Sequence, residues 1–234
     1  MSGRSAIKKI KQKKYLMAAF AVLLILAGTV LVYLGFRSKW QENSVQKQLR
    51  AVYTDRLASG QSWISQIEET ERPEKEEGPA QTDPVVLPGD DEEPDQVFDI
   101  NRLRPMGILK IPKIKIEAVM VEGVTPNDLR YAVGHFTGTG LPGRVGNLAI
   151  AGHRNFITGD FFGHLDKVEP GDELIVEFDG QTYIYIVSEI FVVKPEDTWV
   201  LDPASYPQIT LVTCTPPRIS SHRLIVRGTL RDTP

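Results

Sequence analysis

The sequence predicts an all-β domain, a closed or nearly closed β-barrel with one or two short helices, preceded by an N-terminal transmembrane helix and a stalk. Three observations lead there. From about Arg104 onward the apolar residues come in short runs bounded by Gly, Pro, Asn and Asp, with little helical rhythm. Asp179-Gly180 separates two such runs by a two-residue hairpin signal, because both turn positions tolerate positive φ. Between Tyr15 and Phe36, by contrast, no residue is charged.

The N-terminal part is justified by length and charge. About 22 residues at a rise of about 1.5 Å give roughly 33 Å, enough to cross a hydrocarbon core of about 30 Å. Arg4, Lys8, Lys9, Lys11, Lys13 and Lys14 precede this stretch with no acid among them, while Arg37 and Lys39 follow it. The more positive end stays inside, so residues 1–14 are expected to be a cytoplasmic basic tail, 15–36 a single-pass helix in the cell membrane, and the remainder extracellular. A cleavable signal peptide is the competing reading, but it would have a shorter apolar core ending in a small-x-small site, and Leu34-Gly35-Phe36-Arg37 follows here.

Residues 37–67 carry spaced apolar positions (Val45, Leu49, Val52, Leu57, Ile64, Ile67) interrupted at Ser59-Gly60, the pattern of a juxtamembrane helical stalk. Residues 68–103 are expected to be a disordered acidic linker. Between Glu68 and Asp99, 13 acids stand against two bases, a composition that cannot bury enough apolar surface to offset the entropy of ordering. An acidic lid over a site is the alternative. The overall net charge of −3 averages a basic tail, this linker and a nearly neutral remainder, and no basic stripe points to nucleic acid.

Residues 104–234 are one domain's worth of chain. The β-like runs are 107–111, 116–121, 147–151, 173–178, 181–193, 209–215 and 223–230. Thr125-Pro126-Asn127-Asp128 reads as the cap and first turn of one short helix, with Thr at the N-cap and Pro at N1.

The chain has one cysteine, Cys214, so it forms no internal disulfide; in an exported protein a lone thiol is a candidate nucleophile. Cys214 lies at a strand end, before Thr215-Pro216-Pro217 stops the ladder. His153 ends the run Leu148 to Ala151 after a Gly, and Arg223 opens the next run. Strand ends are where a rigid scaffold presents reactive groups. Each residue alone is more simply a buried small side chain or a hydrogen-bonded structural one.

Taken together, Thr210-Leu211-Val212-Thr213-Cys214-Thr215-Pro216, Ala151-Gly152-His153-Arg154 and Arg223-Leu224-Ile225-Val226 resemble the sortases, membrane-anchored cysteine transpeptidases of Gram-positive bacteria. Gly107 to Ile114 and Val133 to Thr139 extend the likeness over Met106 to Leu230. The resemblance implies an eight-stranded sortase-like barrel that recognises a Leu-Pro-x-Thr-Gly-like sorting signal and cleaves it after threonine. It implies Cys214 as nucleophile, His153 as general acid and base, and Arg223 as donor to substrate carbonyls and the oxyanion. By the same resemblance Thr213 is expected to contact substrate, and His135, in a Gly-rich loop, is expected to line the substrate groove. The implied acceptor is an amine of the peptidoglycan precursor or a pilin lysine, and no cofactor is implied.

The chemistry of these side chains is consistent with that assignment. A tetrahedral oxyanion needs fixed donors, and a guanidinium is always charged and forked. With reference values of about 8.5 for a thiol and 6.5 for an imidazole, about 3% of the one is ionised at pH 7 and about a quarter of the other is charged. The doubly charged pair is then roughly 1% of molecules, which predicts slow turnover unless the site shifts these values.

The rivals are explicit. Arg154, Arg218 and Arg227 compete with Arg223, and Arg227 shares its face by alternation. A solvated loop is the plainer reading of His135, and His164 and His222 are expected at the surface or facing away. Glu169, Asp172 and Glu173 lack the spacing of a calcium loop. Papain-like proteases place Cys before His, the reverse of this order, so hydrolysis enters only as a side reaction of the thioester. A membrane-tethered adhesion or assembly module with an inert thiol is the non-enzymatic alternative. Within the family, Cys-Thr-Pro and His-Arg-Leu-Ile-Val-Arg-Gly look like pilin-polymerising class C members. These commonly carry a second, C-terminal membrane segment and an Asp-Pro-aromatic lid. No such segment is evident before Pro234, and Asp83-Pro84 is followed by Val85; an N-terminal anchor with an open groove looks more like class D or class A, and a class D-like enzyme is expected.

Overall fold

The computed structural model describes residues 3–65, 100–154, 161–217 and 219–231. Most of the expected acidic linker, residues 68–99, lies outside the described residues. The chain divides into two units, Met1–Asn43 and Ser44–Pro234.

A long helix, α1 (Gly3–Ala58), is continuous through the expected span 15–36. In the first unit it exposes Phe20, Leu23, Leu24, Ile25 and Leu26, each by more than half. Among the described residues, no helix is long and apolar enough to cross a membrane.

The second unit is a closed barrel. Its strands are β1 (Pro105–Ile111), β2 (Ile116–Glu122), β3 (Val133–His135), β4 (Gly146–Ala151), β5 (Glu173–Phe178), β6 (Gln181–Val193), β7 (Pro207–Thr215) and β8 (His222–Leu230). They neighbour one another in the order β1-β2-β3-β4-β7-β8-β6-β5, and β5 pairs with β1 to close the ring. The β2/β3 and β4/β7 pairs are parallel, and the others are antiparallel. Closure removes the unpaired edges that an open sheet of this composition would leave.

Local chemistry explains the elements. Asp179 (φ 49°) and Gly180 (φ 76°) both take the left-handed conformation that the β5–β6 hairpin needs. The short helix α2 (Pro126–Leu129) starts at a capping box: the Thr125 hydroxyl accepts from the Asp128 amide, and the Asp128 carboxylate accepts from the Thr125 amide. β6 is long enough to serve two partners, β5 through residue 186 and β8 from residue 185, with a register shift between Val187 and Glu189 where it changes allegiance. β3, only three residues long, is the strand that the sequence pattern missed; it was expected as a Gly-rich loop.

Residues 37–67 were expected to form a stalk, yet their second half packs against the barrel as part of its unit. Val45, Leu49 and Tyr53 recur every four residues and are buried, whereas Val52 is exposed. Val45 and Leu49 pack with Val119, Val121 and Tyr131. Because β3 is so short, the Val119 amide of β2 has no ladder partner there. The Gln46 side chain accepts from it at 2.9 Å and donates to the Tyr131 carbonyl. After α1 ends, Trp63 enters the main core, and the Asp179 carboxylate accepts from the Ser62 hydroxyl and the Trp63 and Ile64 amides at 2.6, 2.8 and 3.3 Å.

Two packed layers matter for the site. The main core joins Met106, Leu109, Leu148, Ile150, Phe162, Leu211 and Val226. On the other face of β4, β7, β8 and β6 a second cluster joins Ala149, Ala151, Val193, Val212 and Ile225 with Val200 of the Thr198–Leu201 turn.

Candidate active site

The second cluster fixes where two of the sequence-predicted residues point. Side chains two apart on a strand share a face. Cys214 follows Val212 by two residues, Arg223 precedes Ile225 by two, and His153 follows Ala151 by two. Cys214 and Arg223 therefore extend the same face, at the same end of the adjacent strands β7 and β8, and His153 lies two residues past the end of the neighbouring strand β4.

Register brings them level. Cys214 is the direct cross-strand partner of Arg223. On the other side of β7, Ala151 pairs with Val212, each two residues before His153 and Cys214 respectively. Two bonds hold the chain level beyond the end of the ladder: the Gly152 amide donates to the Val212 carbonyl at 3.1 Å, and the Thr213 hydroxyl donates to the Gly152 carbonyl at 2.7 Å. His153, Cys214 and Arg223 are buried, at 8%, 4% and 4% exposure. A terminal nitrogen of Arg223 donates to the carbonyls of Ser220 and His222 at 2.8 and 3.0 Å, which orients the guanidinium from its own strand end.

Other expectations change. Thr213, expected to contact substrate, points by alternation away from the Cys214 face and spends its hydroxyl on Gly152. His135, expected in the substrate groove or in a solvated loop, belongs to β3 and is 2% exposed. Its Nδ1 lies 2.7 Å from Glu122 Oε2, and its Nε2 lies 3.0 Å from the Thr139 hydroxyl and 3.1 Å from the Gly140 carbonyl. Both ring nitrogens are engaged, so the residue ties β2 to β3 and the following turn. Burial pushes the Glu122 carboxyl up, but the hydrogen bond and charge of His135, with Thr137 and Arg104, outweigh it and hold the group below its ordinary value.

The rival arginines have partners of their own. Arg227 shares the Arg223 face but sits over Phe191 and Trp199, 5.1 and 5.2 Å from their ring centroids, and pairs with Glu189 at 3.1 Å. It anchors the Thr198–Leu201 turn through Trp199. Arg154 reaches the opposite side of β7, where its Nη1 donates to the Thr215 hydroxyl at 2.8 Å. Arg218 lies outside the described residues. His164 and His222 are exposed. Lys113 lies 2.9 Å from Glu169 and 3.7 Å from Asp172, and Arg231 pairs with Glu173. Among the described residues, no group of three or more His, Cys, Asp or Glu side chains is placed to hold a metal ion.

A thiol, an imidazole and a guanidinium on one end of a rigid sheet suit nucleophilic acyl transfer: attack, proton transfer and oxyanion stabilisation. The sequence reading missed two contacts beside the site, the Phe162 amide donating to the His153 carbonyl at 3.1 Å and Arg154 lying 3.0 Å from Asp166, because Phe162 and Asp166 sit in segments with no motif.

Comparison with known proteins places this geometry. The family profile described as Sortase domain matches residues 109–231. Sortase SrtE1 of Streptomyces coelicolor is 35% identical over 137 residues, covering 52% of this chain and 39% of the relative. The solved structure of a Clostridium perfringens Sortase D5 transpeptidase is 28% identical with a TM-score of 0.58, covering 81% of this chain and 99% of that one. The structure of Sortase E1 from Streptomyces coelicolor with a tripeptide in the active site is 32% identical with a TM-score of 0.51, covering 55% of this chain and 89% of that one. The chain spans 39%, 56% and 54% of the length of three curated relatives that it matches. With the matched profile taking in β4, β7 and β8 and, within its span, His153, Cys214 and Arg223, the chain belongs to the sortase family.

Proposed function

We propose that the chain is a membrane-anchored cysteine transpeptidase that cleaves a Leu-Pro-x-Thr-Gly-like sorting signal after threonine and passes the acyl group to an amine at the cell wall. The Cys214 thiolate attacks the threonine carbonyl carbon, and the resulting oxyanion is held by Arg223. The carbon–nitrogen bond breaks, the departing amine takes a proton from the His153 imidazolium, and a thioester remains. An incoming amine then attacks the thioester and gives its proton to the neutral imidazole. The carbon–sulfur bond breaks, which regenerates thiolate and imidazolium. Water in place of the amine gives hydrolysis as a side reaction.

The observation that supports this reading is the register that pairs Cys214 with Arg223 on β8 and pairs Val212 of the same strand with Ala151, two residues before His153. The tripeptide in the Streptomyces relative supports a peptide substrate. The 22 uncharged residues from Tyr15 to Phe36, behind six basic residues, support a single-pass anchor with a cytoplasmic basic tail and an extracellular barrel. Residues 68–99 serve as the acidic linker, which ends before the Ile100–Arg102 turn and Leu103, buried with Val119 and Val121. The likeness to Sortase D5, which reaches 81% of the chain, supports a class D-like enzyme that attaches surface proteins to peptidoglycan.

The test is mass spectrometry of products from a small library of sorting-signal peptides incubated with peptidoglycan-type amines and with a pilin-type lysine peptide. Acyl transfer by the wild type and none by Cys214→Ala is expected. Peptides that stay intact while iodoacetamide labels Cys214 would overturn the reading, and transfer to the lysine peptide alone would replace class D with class C.

A further inference from the structure

The bonds around His153 reach further than its own strand. β4 ends at Ala151, so His153 stands on backbone that no ladder holds. On its N-terminal side, Gly152 is tied to Val212 and Thr213 of β7. On its C-terminal side, Arg154 reaches the same strand: Nη1 donates to the Thr215 hydroxyl at 2.8 Å and more weakly to the Cys214 carbonyl at 3.4 Å. Its Nη2 lies 3.0 Å from Asp166 Oδ1 in the Leu165–Lys167 turn. Arg154 is 5% exposed. From the same neighbourhood the Phe162 amide donates to the His153 carbonyl at 3.1 Å.

We infer that Arg154 is a positioning residue for acyl transfer, which fixes the separation of the His153 imidazole from the Cys214 sulfur by clamping both strand ends to the Asp166 turn; this rests on the proposed Cys214/His153 chemistry. The guanidinium suits the task because its fork is planar and rigid, so two nitrogens aimed at two elements set a distance that a flexible ammonium would not. By alternation Thr215 lies on the face away from the sulfur, so Arg154 acts through the backbone and leaves the oxyanion to Arg223. The residues adjoining the imidazole are thus pinned on both sides to the strand that carries the thiol. Releasing one side lets the imidazole drift, and a misplacement of about 1 Å costs about a hundredfold in rate.

The test is the pH profile of Cys214 alkylation by iodoacetamide in the full chain, for wild type, His153→Ala, Arg154→Gln, Arg154→Lys and Thr215→Val. It needs no sorting signal. The Arg154→Gln profile is expected to move at least halfway from that of wild type toward that of His153→Ala, with Arg154→Lys between. In transpeptidation, kcat is expected to fall about ten- to a hundredfold with KM within about twofold. An Arg154→Gln profile that superposes on wild type overturns the inference and leaves the transpeptidase reading intact. If Arg154→Gln does not fold, Thr215→Val decides, because it removes one acceptor only: a smaller shift in the same direction supports the clamp, and no shift overturns it. A wild-type profile identical to that of His153→Ala overturns the clamp and the Cys214/His153 pair together.

Discussion

Gly152→Ala tests whether the site's geometry depends on the packing beneath it. A methyl built on Gly152 would lie 2.6 Å from Cδ2 of Phe162 and 2.9 Å from its Cε2 and Cγ. Ordinary carbon contacts are about 3.5–4 Å, so the ring must retreat by about 1 Å. It has nowhere to go, because Phe162 is fully buried in the main core and its amide holds the His153 carbonyl. Overpacking of this kind costs about 1–3 kcal/mol, which for a unit of this size lowers Tm by about 2–12 °C. The recoil passes directly to His153, so acyl transfer should fall about tenfold or more. Thermal unfolding and single-turnover acylation of Gly152→Ala, Phe162→Leu and the double variant measure both effects. The smaller leucine should offset part of the cost, so the double variant should be more stable than the two single changes predict together. A Gly152→Ala protein with wild-type Tm and acylation rate, or costs that simply add, would refute the steric reasoning.

Three further outcomes follow from other contacts. Glu122 is held below its ordinary carboxyl value, so the unfolded chain takes up its proton first; the stability it contributes is complete above that ordinary value and drains away as pH falls through the folded one. Glu122→Gln should flatten this acid loss in denaturation curves below the ordinary carboxylate range and cost up to about 3 kcal/mol at pH 7, since His135 loses its charged partner; an unchanged acid slope would count against the pair. Asp179→Asn keeps a residue that tolerates positive φ but removes the charge received by Ser62, Trp63 and Ile64, so it should cost about 1 kcal/mol and speed tryptic cleavage at Arg56, whose guanidinium covers Trp63. Equal cleavage rates would show that the arm is held elsewhere. Burial raises the Tyr185 phenol to about 12, although the Gly143 amide donates to its oxygen; alkaline spectrophotometric titration should show a late step that Tyr185→Phe removes.

Much of the barrel was legible because its signals are local. The Asp179-Gly180 turn depends on what φ each residue tolerates, the Thr125 cap on one side chain and one amide, and seven of the eight strands on runs of apolar residues. β3 was not legible: three residues carry too little periodicity, and its pairing with β2 and β4 is settled by partners distant in the chain. The same limit explains His135 and Thr213. Their side chains look available on paper, but their fate depends on Glu122, Thr139 and Gly152, which the fold brings to them.

By itself the sequence determined the uncharged stretch and its basic flank, the barrel class, the capped turn and the identity of Cys214, His153 and Arg223 as the residues to watch, because composition, period and motif are properties of neighbouring residues. Only the tertiary structure decided that the stalk residues 44–65 belong to the barrel's unit, that Cys214 and Arg223 face each other across β7 and β8, and that Arg154 grips the far side of the nucleophile's strand. These are matters of register and burial. Register is fixed by which strand ends up beside which, and a slip of one position would turn Cys214 to the opposite face.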